Sequence, residues 1–82
     1  MGQPPTEAPR HLLKRSFSLA GHRTSVALES EFWSALGDIA ESRHQTLSAL
    51  VSQADAARDP GRSLASALRV LALQEYRQRV NR

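Results

Sequence analysis

The order of apolar and polar residues divides the chain into two short alternating segments followed by three helical ones. Residues 14–19 put serines on one side and Phe17 and Leu19 on the other, an alternation that is typical of a strand. Residues 23–28 alternate more cleanly, with two apolar side chains on one face. Gly21 lies between the two segments, at a natural turn or bulge position.

Three helical segments follow the second alternation. Ser30 is a candidate N-cap for a helix that we expect to end near residues 43–44, and Thr46 and Ser63 are candidate N-caps for two more. A strong break at residues 59–61 separates the second helix from the third. The apolar stripes of the three helices are Phe32, Leu36, Ile39 and Ala40; Leu47, Leu50, Val51 and Ala54; and Leu64, Ala67, Leu68, Leu71 and Ala72.

Two features of these helices depart from a simple one-sided pattern. Gly37 lies inside the first helix, where it costs stability relative to alanine, so we expect it to allow the close approach of another element. Val70 and Leu73 lie off the stripe of the third helix. That helix is therefore apolar on more than one side, and is either central or packed against two neighbours.

The strand at residues 23–28 needs a partner, because a lone strand exposes a row of unpaired amides and carbonyls. Two partners are open: the upstream segment 14–19, or the same strand of a second copy of the protein. If the upstream segment covered the polar face of residues 23–28, it would block access to that face.

Length and composition bound the class of protein. A single domain of 82 residues buries only about 60% of the surface of its unfolded chain, so a lone monomer is expected to be marginal. Residues 1–12 contain three prolines and are expected to form a disordered arm, and residues 13–82 the domain. The sequence has no cysteine, no signal-peptide pattern and no long apolar run, so we expect a cytoplasmic protein that does not enter a membrane.

Charge is distributed in three blocks. Residues 1–28 contain four basic side chains and one acidic, residues 29–59 two basic and six acidic, and residues 60–82 five basic and one acidic. Basic blocks on either side of an acidic middle favour a polyanionic partner. Solvated charge on a small domain explains the same pattern.

The sequence lacks the patterns of catalysis and of metal binding. His11, His22 and His44 lie far apart and do not have the spacing of metal ligands. There is no set of nucleophile and base and no glycine-rich phosphate loop, so we expect neither an enzyme nor a cofactor. We find no internal repeat in the sequence.

The order strand, capped helix, short turn and capped helix over residues 23–57 resembles the ribbon-helix-helix proteins, which include the Arc and MetJ repressors. The resemblance implies a mainly α fold: an intertwined homodimer with an antiparallel β-ribbon, here with an additional C-terminal helix. The residues that it implies for the dimer core are Val26, Leu28, Phe32, Trp33, Leu36, Leu50 and Val51. The chain is similar to a narrower branch of small, poorly characterised bacterial members over a string that runs from Lys14 through Gly21-His22-Arg23-Thr24-Ser25 to Glu29 and Phe32-Trp33.

In the resembled family, three alternating strand positions read bases, and they correspond here to Arg23, Ser25 and Ala27. A two-stranded ribbon fits the major groove, where arginine can donate two hydrogen bonds to guanine and serine can bond to either kind of base edge. Ala27 can touch only a thymine methyl group. The expected specificity is therefore concentrated in Arg23.

Further contacts are expected at two places. The family uses the start of its second helix as a phosphate clamp, although a purely capping role for Thr46 explains its position equally well. The upstream segment is either a basic arm that contacts the DNA backbone or an additional strand. The residues concerned are Thr46, Leu47 and Ser48 for the clamp, and Lys14, Arg15 and His22 for the upstream segment.

Two functions follow from this pattern. The first is a sequence-specific or semi-specific DNA-binding transcriptional regulator, a repressor, that acts as a homodimer through a β-ribbon in the major groove. Its partners are itself and double-stranded DNA. The alternative is a protein-interaction module on the same fold that does not bind DNA, motivated by Ala27, by the acidic first helix and by the apolar surface of the third helix. In either case the third helix is available for a higher oligomer or a protein partner.

Overall fold

The computed structural model describes residues 12–81 as a β-hairpin followed by three helices. The hairpin forms a two-stranded antiparallel sheet, and the helices pack against one of its faces and against each other. The elements, in chain order, are β1 (Leu12–Leu19), β2 (His22–Glu29), α1 (Ser30–Ser42), α2 (Leu47–Ala57) and α3 (Leu64–Val80). Both expected strands and all three expected helices are therefore present.

The partner of β2 is β1 of the same chain. The two strands pair along their full length, from Leu12 opposite Glu29 to Leu19 opposite His22. The upstream segment is thus an additional strand that lies edge to edge with β2 and leaves the polar face of β2 uncovered. Of the two partners that the sequence left open, the structure contains the first.

A two-residue turn closes this hairpin. Ala20 and Gly21 both have positive φ, 52° and 83°, as the central residues of a type I′ turn do. This turn matches the twist of the strands, and Gly21 adopts it without the steric cost that a Cβ adds. The expectation of a turn at Gly21 is confirmed.

The expected intertwining of two chains is not a feature of this single-chain structure. Each strand of a two-stranded sheet has one bonded edge and one free edge. A ribbon between two copies of β2 would therefore need the free edge of β2 or the loss of its pairing with β1.

The helix termini agree with two of the three expected caps. The Thr46 hydroxyl accepts a hydrogen bond from the Ala49 amide at 3.0 Å, and the Ser63 hydroxyl accepts one from the Ser66 amide at 3.1 Å. The expectation for Ser30 is wrong: it is the first residue of α1, the capping position belongs to Glu29, and no side chain caps this end. Continuous hydrogen bonding along β2 carries the strand to the helix, so no loop residue is left to cap it.

The first helix ends where the sequence indicated. Arg43 is its C-cap, and the next residue, His44, has a φ of 57°, the left-handed conformation that ends many helices. The expectation for Gly37 is not met within the chain. A Cβ placed on Gly37 would have no atom within 4 Å, so no described element approaches it closely.

A continuous hydrophobic core lies between the hairpin and the helices. Four strand residues, Phe17, Leu19, Val26 and Leu28, meet the buried stripes of all three helices there. Trp33 fixes the far end of β1, because its indole N–H donates to the Leu13 carbonyl at 2.8 Å. Six of the residues expected in a dimer core are buried inside this one chain: Val26, Leu28, Trp33, Leu36, Leu50 and Val51.

Phe32 differs from those six because it is only partly buried, at the junction of α1, α3 and the end of β2. The Arg69 guanidinium lies 5.7 Å from its ring centroid and donates to the Glu29 carboxylate at 3.0 and 3.1 Å. Arg69 therefore joins α3 to β2 through a charge pair and an aromatic contact. Within residues 12–81, no helix is both long enough and apolar enough to cross a membrane.

Leu12, the last residue of the expected arm, belongs to β1. The rest of the expected arm, residues 1–11, lies outside the described residues.

The hairpin turn makes a prediction about stability. Gly21→Ala should lower the free energy of unfolding by about 1–2 kcal/mol, because alanine is strained in the left-handed conformation. Gly37→Ala is the matched control: it should raise that free energy by about 0.5–1 kcal/mol, since it adds a helix former in open space. Urea unfolding followed by Trp33 fluorescence measures both. Equal effects of the two substitutions would contradict this account of the turn.

Candidate nucleic-acid interface

Six side chains form the outward face of the hairpin, on the side opposite the helices. Because successive residues of a strand point to opposite faces, the burial of Phe17 and Val26 turns their neighbours outward. Five of the six are exposed and Ala27 is partly buried. The outward face consists of Lys14, Ser16 and Ser18 on β1 and Arg23, Ser25 and Ala27 on β2.

Two hydrogen bonds connect the strands across this face. The Ser16 and Ser25 hydroxyls lie 3.0 Å apart at its centre. At one end, the Arg23 guanidinium donates to the Ser18 hydroxyl at 3.2 Å. Cross-strand pairs of this kind orient exposed side chains. Most of the N–H groups of Arg23 remain available for another acceptor.

The outward face has an approximate two-fold symmetry within one chain. Each strand presents a basic residue, a serine and a small residue in the same order from N- to C-terminus. The strands are antiparallel and Ser16 lies opposite Ser25, so a half-turn about the centre of that pair exchanges the two strands. Lys14 and Arg23 therefore lie at diagonally opposite ends of the face.

The same relation extends to the inward face and reveals a short internal repeat. Residues 14–19 and 23–28 are related by a shift of nine positions, which makes Phe17 equivalent to Val26 and Leu19 equivalent to Leu28, and all four side chains are buried in the core. The expectation of no repeat was wrong. The signal is present in the sequence as basic–any–serine–apolar–small–leucine, but six residues are too few to stand out before the pairing is known.

The structure separates the expected contacts of the upstream segment. Lys14 lies on the outward face, whereas Arg15 points to the other side and places its guanidinium 5.2 Å from the centroid of Trp33. His22 lies opposite Leu19, whose side chain is buried, so it also belongs to the inward side of the sheet. The outward face thus contains one of the three residues.

The start of α2 presents free backbone donors. The amides of Leu47 and Ser48 belong to the first turn and have no acceptor within the helix. The Thr46 hydroxyl accepts from Ala49, and its own hydrogen remains free to donate. Capping and binding of an anion are therefore compatible at this terminus. Because α2 packs against β1, the terminus belongs to the same side of the molecule as the helical layer.

Other chemistry is not assembled in the described part of the chain. Among residues 12–81, no group of three or more histidine or acidic side chains is arranged to hold a metal ion. Among the described residues, the outward face of the hairpin is therefore the candidate site, because its basic side chains, Lys14 and Arg23, are exposed to solvent.

The comparisons with known proteins identify the fold family. No curated protein and no solved structure matches the chain. A family model described as a ribbon-helix-helix domain matches residues 12–76, which span the hairpin, α1, α2 and most of α3. Such domains are typical of DNA-binding transcription regulators, generally bind DNA as dimers and are generally not enzymes. The chain belongs to the ribbon-helix-helix domain family.

Proposed function

We propose that this protein is a DNA-binding transcriptional regulator that inserts its hairpin into the major groove with the outward face toward the bases. The observation that carries the proposal is the outward face itself: an exposed two-stranded surface with a basic residue at each of two diagonal ends. A two-stranded ribbon has the width that the major groove admits.

The chemistry of this face determines what it can read. Arg23 and Lys14 can each donate to the O6 and N7 acceptors of guanine, and they lie on different strands. The central serines can bond to either kind of base edge, and Ala27 can contact a thymine methyl group. A site with a guanine toward each end, on opposite strands of the duplex, matches the approximate two-fold symmetry of the face.

Contacts to the DNA backbone supply the rest of the binding energy. The first-turn amides of α2, at Leu47 and Ser48, form the phosphate clamp of the proposal, with the Thr46 hydroxyl beside them. Arg15 and His22 lie on the inward side, so they reach phosphates at the rim of the groove rather than bases.

A dimer is part of the proposal, because ribbon-helix-helix proteins generally bind DNA as dimers. In this chain, however, the two-stranded ribbon is complete without a second copy. Each protomer therefore brings its own reading element, and a dimer places two hairpins on the DNA.

The second candidate is a protein-interaction module that uses the same fold without binding DNA. It is favoured by the exposed apolar residues of α3, which have no role in the reading of DNA. The two candidates differ in one simple respect. A DNA-binding protein must bind duplex DNA at low salt and lose affinity as salt rises.

The first prediction concerns base reading. Arg23→Ala should weaken binding to DNA from upstream of the protein's own gene by about 1–3 kcal/mol, or roughly 5- to 150-fold, through loss of a guanine contact. Fluorescence anisotropy with a labelled duplex measures this loss. Arg62→Ala is the matched control, since Arg62 is exposed in the loop that follows α2, away from its N-terminus. An equal loss from both variants, or no binding of wild type at low salt, would contradict the proposal.

The second prediction separates two adjacent basic residues. Lys14→Ala should weaken DNA binding by about 1–3 kcal/mol, because it removes the second basic base contact of the outward face. Arg15→Ala should have a smaller effect on affinity but lower the free energy of unfolding by about 0.5–1 kcal/mol, because it removes the contact with Trp33. The reverse pattern would contradict the proposal that the outward face contacts the bases.

A further inference from the structure

A cleft between the second and third helices is separate from the outward face of the hairpin. It has a volume of about 430 Å³ and is lined by residues of α2, of α3 and of the loop that joins them, together with Arg43 after α1. Clefts that bind small molecules begin at about 300 Å³. Neither strand of the hairpin and none of residues 46–48 at the start of α2 contributes to its lining. The cleft is therefore large enough for a small ligand and lies outside the proposed DNA-binding surface.

The inner lining of this cleft is apolar. Leu50 is buried there, while Ala54, Ala67, Val70 and Leu71 are partly buried and leave part of their surface open to the cleft. The two alanines lie on helices that pack against each other, and their small side chains leave a gap that longer side chains would fill. Val70 lies off the core stripe of α3, and its place in this lining accounts for part of the second apolar side that the sequence indicated.

Three arginines share the lining, and two of them are held in place by carboxylates. The Arg58 guanidinium donates from Nε to Asp55 at 2.8 Å and from Nη1 to the Arg62 carbonyl at 2.7 Å. Arg43 donates to Glu75 at 3.0 Å. The second bond of Arg58 also fixes the loop that carries Arg62. Side chains that are ordered in this way before a ligand arrives lose little further freedom when it binds.

Arg62 supplies the donors that a ligand can use. Among the described residues, no acceptor pairs with its guanidinium, and the residue is exposed at the edge of the cleft. A guanidinium has five N–H donors and no acceptor, and it binds a carboxylate through two parallel hydrogen bonds. The polar part of the cleft therefore has donors in excess and fits an anionic group.

The charge of the lining favours a ligand with a single negative charge. Among the lining residues, three arginines stand against one acidic side chain, Asp59. Asp55 and Glu75 reduce this excess further, because they pair with two of the arginines. A phosphate with two charges would be repelled by these three carboxylates, whereas a carboxylate needs only the donors of Arg62.

We propose that the α2–α3 cleft binds a small carboxylic acid with a flat apolar body. The carboxylate bonds to Arg62, and the apolar body lies between the alanines of α2 and the Val70 side of α3. A flat body suits a cleft whose two walls are helices packed against each other. The site is separate from the outward face of the hairpin, so it exists whether or not the protein binds DNA.

Titration of the isotope-labelled protein, followed by NMR, tests this site. The probes are 2-naphthoate, an apolar bicyclic carboxylate, and 2-naphthamide, its uncharged analogue. The carboxylate should bind with a dissociation constant of about 1 mM or lower, and the amide shifts should concentrate in residues 50–74. The uncharged analogue should bind about fivefold more weakly or worse, because it lacks the charge that Arg62 binds. No binding of 2-naphthoate at about 5 mM, or shifts centred elsewhere, would overturn the proposal.

Two arginine variants test the contact with the carboxylate. Arg62→Ala should weaken the binding of 2-naphthoate about fivefold or more and leave that of 2-naphthamide unchanged, since only the carboxylate uses the guanidinium. Arg79→Ala is the matched control, because Arg79 is exposed on α3 and does not line the cleft. It removes the same charge and should leave both affinities unchanged. Equal losses in the two variants would assign the effect to net charge and would overturn the proposal.

Discussion

The hydrogen-bonding requirement of β2 is the constraint on which the rest of the structure depends. A strand of eight residues needs hydrogen-bond partners for its backbone groups, and here the eight residues of β1 bond one of its two edges. Closure by Ala20 and Gly21 brings Phe17 and Leu19 onto the same side as Val26 and Leu28. The single chain thereby acquires a four-residue apolar platform, on which three helices complete a core.

The helical layer follows from that platform. α1 continues directly from β2, and α3 returns to cover the junction, where Arg69 contacts both Glu29 and Phe32. The third helix supplies Leu64, Leu68 and Ala72 to the core, and so takes up apolar surface that would otherwise need a second chain. A domain of this size is thus able to bury six of the residues that the family resemblance assigned to a dimer core.

The sequence predicts the elements well and their partners less well. Alternation and spacing located both strands and three helices, and Thr46 and Ser63 were recognisable as caps because their hydroxyls act on amides three residues away. The upstream strand and β2 of a second copy can offer β2 nearly the same backbone hydrogen bonds. Local sequence patterns therefore do not predict which of the two pairs with it. The alternation of residues 14–19 already put Lys14 and Arg15 on opposite sides, but their expected contacts were grouped because the pairing of this segment was open. Ser30 failed as a cap because strand pairing, a non-local effect, extends to Glu29.

The nine-residue relation between the strands has a consequence for how such a surface changes. In a ribbon made by two identical chains, every substitution appears twice, once on each side of the axis. Here Ser18 and Ala27 occupy equivalent positions but are encoded separately, and they already differ. Under the proposed function, each half of the face can therefore acquire its own base preference by a single substitution, so that an asymmetric target becomes accessible to one gene without duplication or heterodimer formation.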